Sequence, residues 1–336
     1  MVCVNDAAPS TVDSDPGTGA ARRSLGLSRG RNLGVLALAA MAPIWGYSWV
    51  ASKMALDYCR PFTYVAISTA ACVACLFVVL ALTGRSLRPP PLGWTVLIAL
   101  LQTSLFSSLV TIALTSGGAG KVSVLAYTMP FWLLLLAWTF LGERLRGLQW
   151  SAVALAFAGL VLVVRPWDIG GALSGVLACG GGLSWAAGAM MVKLLQRRAQ
   201  VDAISLTAWQ MGIGGLPLIA AALLTHSGWP VWSGTFVWTL AYSALLSNAV
   251  CWVLWAYALH SLPAGAAGIG TLAIPVVGVI AAWIQLGEAP ALLEGVGMTL
   301  IIVALAVLAV RGLLAARRGA VPGGQQAEPE LLPVID

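Results

Sequence analysis

Ten long apolar stretches, separated by short polar breaks, constrain this chain more than any other feature of its sequence. An α-helix needs about 20 mostly apolar residues to cross the hydrocarbon core of a bilayer. The breaks hold residues that interrupt helices, such as Arg60-Pro61 and Ser116-Gly117-Gly118. The sequence therefore predicts an all-α polytopic membrane protein with ten transmembrane helices. The ten stretches are 33–51, 62–83, 93–115, 119–141, 149–164, 172–194, 204–224, 234–259, 264–286 and 291–311.

The composition supports the same class of protein. Only 9% of the 336 residues are charged and 60% are hydrophobic, whereas soluble domains carry about 25% charged residues. This excludes a soluble enzyme, a disordered regulator and a secreted domain built on disulfides. The net charge of +6 comes from loops and does not indicate nucleic acid, so the expected partner surface is the lipid bilayer. Residues 1–31 and 312–336 are expected to be a disordered cytoplasmic arm and tail.

The positions of Lys and Arg predict the orientation, because cytoplasmic loops of membrane proteins are enriched in both. With the N-terminus in the cytoplasm, 14 of these residues fall on the inner side and 4 on the outer side. The four outer ones are Lys53, Arg60, Lys121 and Arg165. We therefore expect both termini in the cytoplasm, and a multi-pass protein of a bacterial inner membrane.

An internal repeat divides the membrane region into residues 32–165 and 172–311. Five helices in each half is an odd number, so the second half must enter the membrane from the opposite side. Inverted repeats of this kind are typical of secondary transporters, in which the two halves exchange conformations. The matched residues, at an offset of 145, are Ala119-Gly120 with Ala264-Gly265, Pro130 with Pro275, Gly142-Glu143 with Gly287-Glu288 and Gln102-Thr103 with Ser247-Asn248; at an offset of 140, they are Trp45 with Trp185 and Lys53 with Lys193.

These motifs resemble the EamA-type permeases of the drug/metabolite transporter superfamily. The resemblance covers about residues 33–311 and implies a ten-helix inverted-repeat fold. It also implies efflux of amino acids, metabolites or drugs from bacteria, but no particular substrate. The two repeat copies differ after the glutamate: Arg144 follows Glu143, as in the family, whereas Ala289-Pro290 follows Glu288. The residues that carry the resemblance are Trp45-Gly46, Lys53, Tyr127–Trp132, Leu141–Leu145, Leu262–Gly265, Gly270–Val276 and Leu286–Glu288.

Ionisable residues within the membrane are costly and indicate function unless they reach an interface. Lys53 ends the first stretch and Lys121 opens the fourth, both on the outer side. They are candidates for attracting solute carboxylates at an outer mouth, and the competing interpretation is that both reach the lipid headgroups. Glu143 and Glu288 end the fourth and ninth stretches and are interpreted as structural or gate residues.

Neutral polar and aromatic side chains near the middle of the membrane are the other candidates for a solute pathway. Polar groups in hydrocarbon need partners, which are either another helix or a solute in a wet cavity. A mid-helix Pro removes one backbone hydrogen bond and can form a hinge. The candidates are Trp45, Gln102, Tyr127, Pro130, Trp185, Ser247, Asn248, Trp252 and Pro275.

The sequence thus favours a secondary transporter that exports a small organic solute by alternating access. The alternatives are an exchanger or importer of phosphorylated or sugar-linked metabolites, a membrane-embedded enzyme, and a non-transporting sensor. The enzyme is disfavoured because no catalytic or metal-binding pattern is visible, and no cofactor is expected. The fifth and tenth stretches are rich in Gly and Ala, which allow close helix packing, so a homodimer formed through them is a further alternative.

Overall fold

The computed structural model describes residues 16–141, 147–165, 172–225, 228–251, 254 and 273–319. Within these residues the regular secondary structure is helical. The helices are α1 (Pro16–Ala55), α2 (Pro61–Leu82), α3 (Leu92–Ile98), π1 (Ala99–Leu105), α4 (Phe106–Ser116), α5 (Ala119–Ala126), α6 (Met129–Leu141), α7 (Leu148–Val164), α8 (Ala172–Arg198), α9 (Ala203–Leu224), α10 (Gly234–Ala241), π2 (Tyr242–Val250), α11 (Ala273–Leu286) and α12 (Leu292–Gly319).

Six of the described helical segments are long and apolar enough to cross a membrane. Three shorter apolar helices accompany them, at Leu148–Val164, Ala273–Leu286 and Leu292–Val307. Large apolar side chains such as Phe140, Ile284 and Leu224 are exposed, as expected for a surface that faces lipid. The six segments are Leu33–Ala55, Pro61–Leu82, Leu92–Ser116, Ala119–Phe140, Ala172–Arg198 and Ala203–Leu224.

Both ends of the membrane region differ from the prediction of disordered termini. Helix α1 begins at Pro16 and α12 continues to Gly319, so residues 16–31 and 312–319 are helical. The rest of the predicted arm and tail, residues 1–15 and 320–336, lies outside the described residues. Pro suits the first turn of a helix, where its missing N–H is not needed. Ala, Leu and Arg, which favour helices, fill much of both extensions.

The fourth apolar stretch is broken instead of kinked. Helix α5 ends at Ala126, and α6 begins at Met129 after a turn at Tyr127 and Thr128. Pro130 therefore lies in the first turn of a new helix and not in the middle of a continuous one. The amide of Phe131 donates to Thr128 O at 2.9 Å. The described part of the ninth stretch begins at Ala273, with Pro275 in its first turn.

The two halves of the chain interdigitate. The most extensive helix contacts run between them: α7 packs on α12, α1 on α11, α2 on α9, and α4 and α6 on α8. Where α7 meets α12, Gly159 and Gly297 form the closest contact between two glycines in the described chain. A Cβ on either Gly159 or Gly297 would lie 2.6 Å from the carbonyl oxygen of the other. These glycines contact each other within one chain, so they are not free to form a contact with a second copy.

Candidate functional site

Two π-helical segments lie at matched positions in the two halves. The offset of 145 residues carries π1 (Ala99–Leu105) onto residues 244–250, within π2 (Tyr242–Val250). A π-helix inserts extra backbone into an α-helix and is frequent at functional sites. Gln102 lies ten residues into the helix that begins at Leu92, about 15 Å from its inner end. The polar pairs predicted from the sequence therefore lie in π-helical segments, and the first pair lies near the middle of the apolar helical segment Leu92–Ser116.

A reciprocal pair of hydrogen bonds joins each π segment to the other half of the chain. The Trp45 indole Nε1 donates to the backbone oxygen of Ser247 at 2.6 Å. The Gln102 amide Nε2 donates to the backbone oxygen of Trp185 at 3.3 Å. Trp45 corresponds to Trp185 and Gln102 to Ser247 in the repeat, so the two contacts join the same pair of repeat positions. Their donors differ, because the Trp side chain donates in the first contact and the Trp backbone oxygen accepts in the second. The structure therefore brings four of the predicted residues together in pairs.

Small residues on α8 and α9 allow π1 to approach closely. Ser184 Oγ donates to Leu101 O at 2.7 Å, and Ser104 Oγ donates to Gly214 O at 2.7 Å. A Cβ on Gly188 would lie 2.3 Å from Gln102 Cγ, so only glycine fits this position as the side chains stand. We did not predict Ser184, Gly188 or Gly214, although small residues recur along both helices.

Two amide side chains near π1 and π2 make no hydrogen bond to the rest of the described chain. Asn248 is half-buried within π2. Gln210 of α9 is only 4% exposed and lies one turn before Gly214, which packs against Thr103 of π1. Neither amide is among the buried polar atoms that lack a partner, so each can form hydrogen bonds with water or with a solute. Gln210 was missed because one glutamine in an apolar helix has no repeat partner.

The break between α5 and α6 lies beside the same region. Tyr127 packs into a cluster with Trp45, Cys251 and Ile274, and its ring meets the edge of Trp49 at 6.4 Å between centroids. Thr128 Oγ1 donates to Leu125 O at 2.6 Å and accepts from Trp132 Nε1 at 3.1 Å. The helix ends created by the break are therefore held by side chains. Pro275 is buried on α11.

Lys53 does not point freely into an outer mouth. Its ammonium donates to Leu114 O and, at 2.9 Å, to Gly117 O. Both carbonyls lie at the C-terminal end of α4, where a helix carries partial negative charge. The geometry makes Lys53 a cap that joins α1 to α4. This role depends on a helix distant in sequence, so it was not visible in the pattern of residues.

Lys121 and Glu288 line a cavity of about 220 Å³ at the predicted outer end. The Lys121 ammonium pairs with Glu294 Oε1 of α12 at 3.0 Å. Glu288 Oε2 accepts the backbone N–H of Ala119 at 2.6 Å. Glu294 was not predicted, because an acidic residue in the first turn of a helix is ordinarily explained by the helix dipole.

Two predicted residues, Glu143 and Trp252, lie outside the described residues. Among the residues that are described, no group of three or more His, Cys, Asp or Glu is placed to hold a metal ion. The polar groups of this region are instead amides, hydroxyls, indoles and ion pairs. Such groups can bind and orient a solute by hydrogen bonding and charge.

Comparisons with known proteins agree with this architecture. A model of the EamA-like transporter family matches residues 32–165 and 173–310. The uncharacterized transporter YvbV of Bacillus subtilis is 29% identical over 81% of this chain and 90% of its own. A probable amino-acid metabolite efflux pump of Escherichia coli is 26% identical over 82% of this chain and 94% of its own. A crystal structure with 17% identity aligns with a TM-score of 0.60 over 88% of this chain and 99% of that one, which supports the fold.

Proposed function

The chain belongs to the EamA-like transporter family, and from this premise we propose that it exports a small organic solute by alternating access. It is a multi-pass membrane transporter. The proposal adds the direction of transport, the class of solute and the mechanism. It places the protein in a bacterial inner membrane, with ten transmembrane helices arranged as two inverted repeats.

The reciprocal contacts at π1 and π2 are the observation that carries this proposal. Trp45 with Ser247, and Gln102 with Trp185, join the halves at equivalent places. Two pseudo-symmetric halves can exchange conformations, so that a site between them faces each side of the membrane in turn. Contacts between the same pair of repeat positions can then change together when the halves move. Asn248 and Gln210 supply unpaired amides next to these contacts.

The placement of charge supports a chain that crosses the membrane repeatedly. Arg85 pairs with Asp202, and the Arg198 guanidinium lies 5.2 Å from the centre of the Trp94 ring. Both contacts lie at the end of the bundle that the sequence assigns to the cytoplasm. Lys53, Lys121 and their partners lie at the other end. These charged residues of the described chain thus gather at the two ends of the bundle, as a chain that crosses the membrane repeatedly requires.

The proposed solutes are amino acids, metabolites or drug-like compounds of similar size. A relative of nearly full-length similarity is named a probable amino-acid metabolite efflux pump, which makes amino acids the first compounds to test. We propose no cofactor. Movement of the solute would be driven by its own gradient or by a coupled ion.

Counterflow in proteoliposomes tests this function. Vesicles are loaded with one unlabelled solute of a panel of amino acids and metabolites, and entry of the labelled solute is followed. We expect saturable counterflow with at least one solute, and about 10-fold slower counterflow in Gln102→Leu, where one polar group is lost. Thr299→Ala, on the exposed face of α12, is the matched control. If every labelled solute of the panel enters no faster than it enters protein-free vesicles, the proposed function is contradicted.

A further inference from the structure

Ion pairs join the two halves of the chain at both ends of the bundle. At the predicted outer end, Lys121 of α5 pairs with Glu294 of α12 at 3.0 Å. At the predicted cytoplasmic end, Arg85 in the loop after α2 pairs with Asp202, which caps the start of α9. In each pair the cation belongs to the first half and the anion to the second. Each pair therefore closes its end of the bundle in this conformation.

Neutral hydrogen bonds between the halves accompany each ion pair. At the outer end, Glu288 Oε2 accepts the backbone N–H of Ala119 at 2.6 Å. At the cytoplasmic end, Trp209 Nε1 of α9 donates to Leu87 O at 3.2 Å. The loop that carries Arg85 is thus held on α9 by more than its charge. Both ends are closed by a charged contact that is supported by neutral ones.

The two ion pairs differ in how much water reaches them. The side chains of Lys121 and Glu294 are 15% and 19% exposed, whereas those of Arg85 and Asp202 are 43% and 37% exposed. Removing one partner leaves the other charge unpaired, which destabilises the closed contact more where water is scarce than at an exposed pair. Single substitutions should therefore open the outer end more than the cytoplasmic end.

We propose that these two ion pairs are latches, each of which breaks when its end of the bundle opens. The outer latch is Lys121 with Glu294, and the cytoplasmic latch is Arg85 with Asp202. This inference rests on the proposed alternating access and identifies the charged contacts that such a cycle breaks. Since the latches lie at opposite ends and share no residue, one remains closed while the other opens.

Two buried serines are matched positions for measuring the opening of each end. Ser174 lines the outer cavity and is 4% exposed. Ser205 is 3% exposed, and its Oγ donates to Arg88 O in the loop that carries the cytoplasmic latch, at 3.5 Å. Ser174→Cys or Ser205→Cys is placed in a chain whose six native cysteines are replaced by alanine or serine. Labelling by a water-soluble maleimide is timed in lipid nanodiscs, where the reagent reaches both faces.

Removing either charge of the outer latch should expose position 174. Lys121→Met and Glu294→Gln should each raise the rate of labelling at position 174 about 10-fold, because each leaves one partly buried charge unpaired. The rate at position 205 should not rise, because the cytoplasmic latch is intact. The exchanged pair Lys121→Glu with Glu294→Lys restores the contact and should restore slow labelling.

The two outer variants also control for a direct effect of charge on the thiol. A nearby cation lowers the pKa of a thiol and a nearby anion raises it. Without opening, Lys121→Met would therefore slow the labelling of position 174 and Glu294→Gln would accelerate it. Only opening of the end accelerates labelling in both variants.

The cytoplasmic latch can be broken without loss of the helix cap. Asp202 Oδ1 accepts the backbone N–H of Ser205 at 2.8 Å, and Asn is as good an N-cap as Asp. Asp202→Asn and Arg85→Gln should each raise the rate of labelling at position 205 about 3-fold, less than at the outer end because this pair is exposed. Position 174 should label no faster. Lys193→Met removes an exposed cation outside both latches and should change neither rate.

Either of two results would overturn the inference. One is a rate at position 174 that stays the same, or changes in opposite directions, in Lys121→Met and Glu294→Gln. The other is faster labelling at both positions in a single variant, which indicates general loosening of the fold. Counterflow with the same variants separates this failure from failure of the proposed function. Saturable counterflow with unchanged labelling would reject the latches alone, and no counterflow of any solute by the original chain would reject the transporter proposal.

Discussion

Glu288, in the loop after α11, accepts a hydrogen bond from the backbone N–H of Ala119, the first residue of α5, at 2.6 Å. The second half of the chain thus caps a helix of the first half. Gly287 has a φ of 68°, a left-handed conformation that favours glycine, and it turns the chain so that Glu288 reaches α5. Gly118 makes the approach possible, because a Cβ there would lie 2.9 Å from the carboxylate.

Replacing Glu288 should destabilise the protein, and the effect should be larger when the new side chain cannot accept the Ala119 hydrogen bond. Glu288→Ala removes the acceptor for the Ala119 amide and is expected to cost about 1–2 kcal/mol of unfolding free energy. Glu288→Gln keeps an oxygen acceptor and should lose less than half as much. Thermal unfolding in detergent measures both. Equal melting temperatures for Glu288→Ala and the original chain would show that the contact contributes nothing.

Lys53 and its repeat counterpart Lys193 should differ in their effects on stability. Lys53→Met removes two hydrogen bonds to carbonyls at the end of α4 and is expected to cost about 1–2 kcal/mol. Lys193 is exposed, so Lys193→Met should change the unfolding free energy by less than about 0.5 kcal/mol. Melting curves of the two variants provide the comparison. A loss of similar size in both would mean that Lys53 acts only as an interfacial anchor.

The contact between α7 and α12 should tolerate no side chain at Gly297. Gly297→Ala places a Cβ 2.6 Å from Gly159 O, and forcing the helices apart is expected to cost about 1–3 kcal/mol. Gly295→Ala, on the same helix, meets nothing within 4 Å and should be neutral or stabilising by up to about 1 kcal/mol. A lower melting temperature for Gly295→Ala than for Gly297→Ala would contradict the described contact between α7 and α12.

Cys59, in the loop between α1 and α2, should be a slow nucleophile at neutral pH. Burial raises the pKa of its thiol to about 11, so the reactive thiolate is scarce at pH 7. In a variant that keeps only this cysteine, the rate of maleimide labelling should rise about tenfold per pH unit from pH 7 to 9, measured with a stable reagent and short reaction times. A rate that levels off below pH 9 would contradict the raised pKa.

Repeat positions and hydropathy predict part of the site, and tertiary contacts supply the rest. The offsets of 140 and 145 pair Trp45 with Trp185 and Gln102 with Ser247, and each of these residues lies in a contact between the halves. The π segments were not predicted, because one extra residue per turn leaves no trace in a helix that is apolar on every side.

The roles of Lys53 and Glu294 also required the structure. From the sequence, Lys53 at the end of a helix is explained by a side chain that reaches the lipid headgroups. Glu294 at the start of a helix is explained by the helix dipole. Their actual partners are distant in sequence: Gly117 for Lys53 and Lys121 for Glu294. The sequence predicts a hinge within a continuous helix at Pro130, where the structure has a break, since Pro disfavours a continuous helix but does not determine whether the helix bends or stops.

Accessibility of position 248 from the two sides of the membrane tests alternating access most directly. Asn248→Cys is placed in a chain whose six native cysteines are replaced by alanine or serine, and a membrane-impermeant thiol reagent is applied to right-side-out and inside-out vesicles. Thr299→Cys, on the exposed face of α12, controls for reaction through lipid. We expect modification of position 248 from both sides, with rates that change when transported solute is added. Modification from one side only, with and without solute, would contradict alternating access.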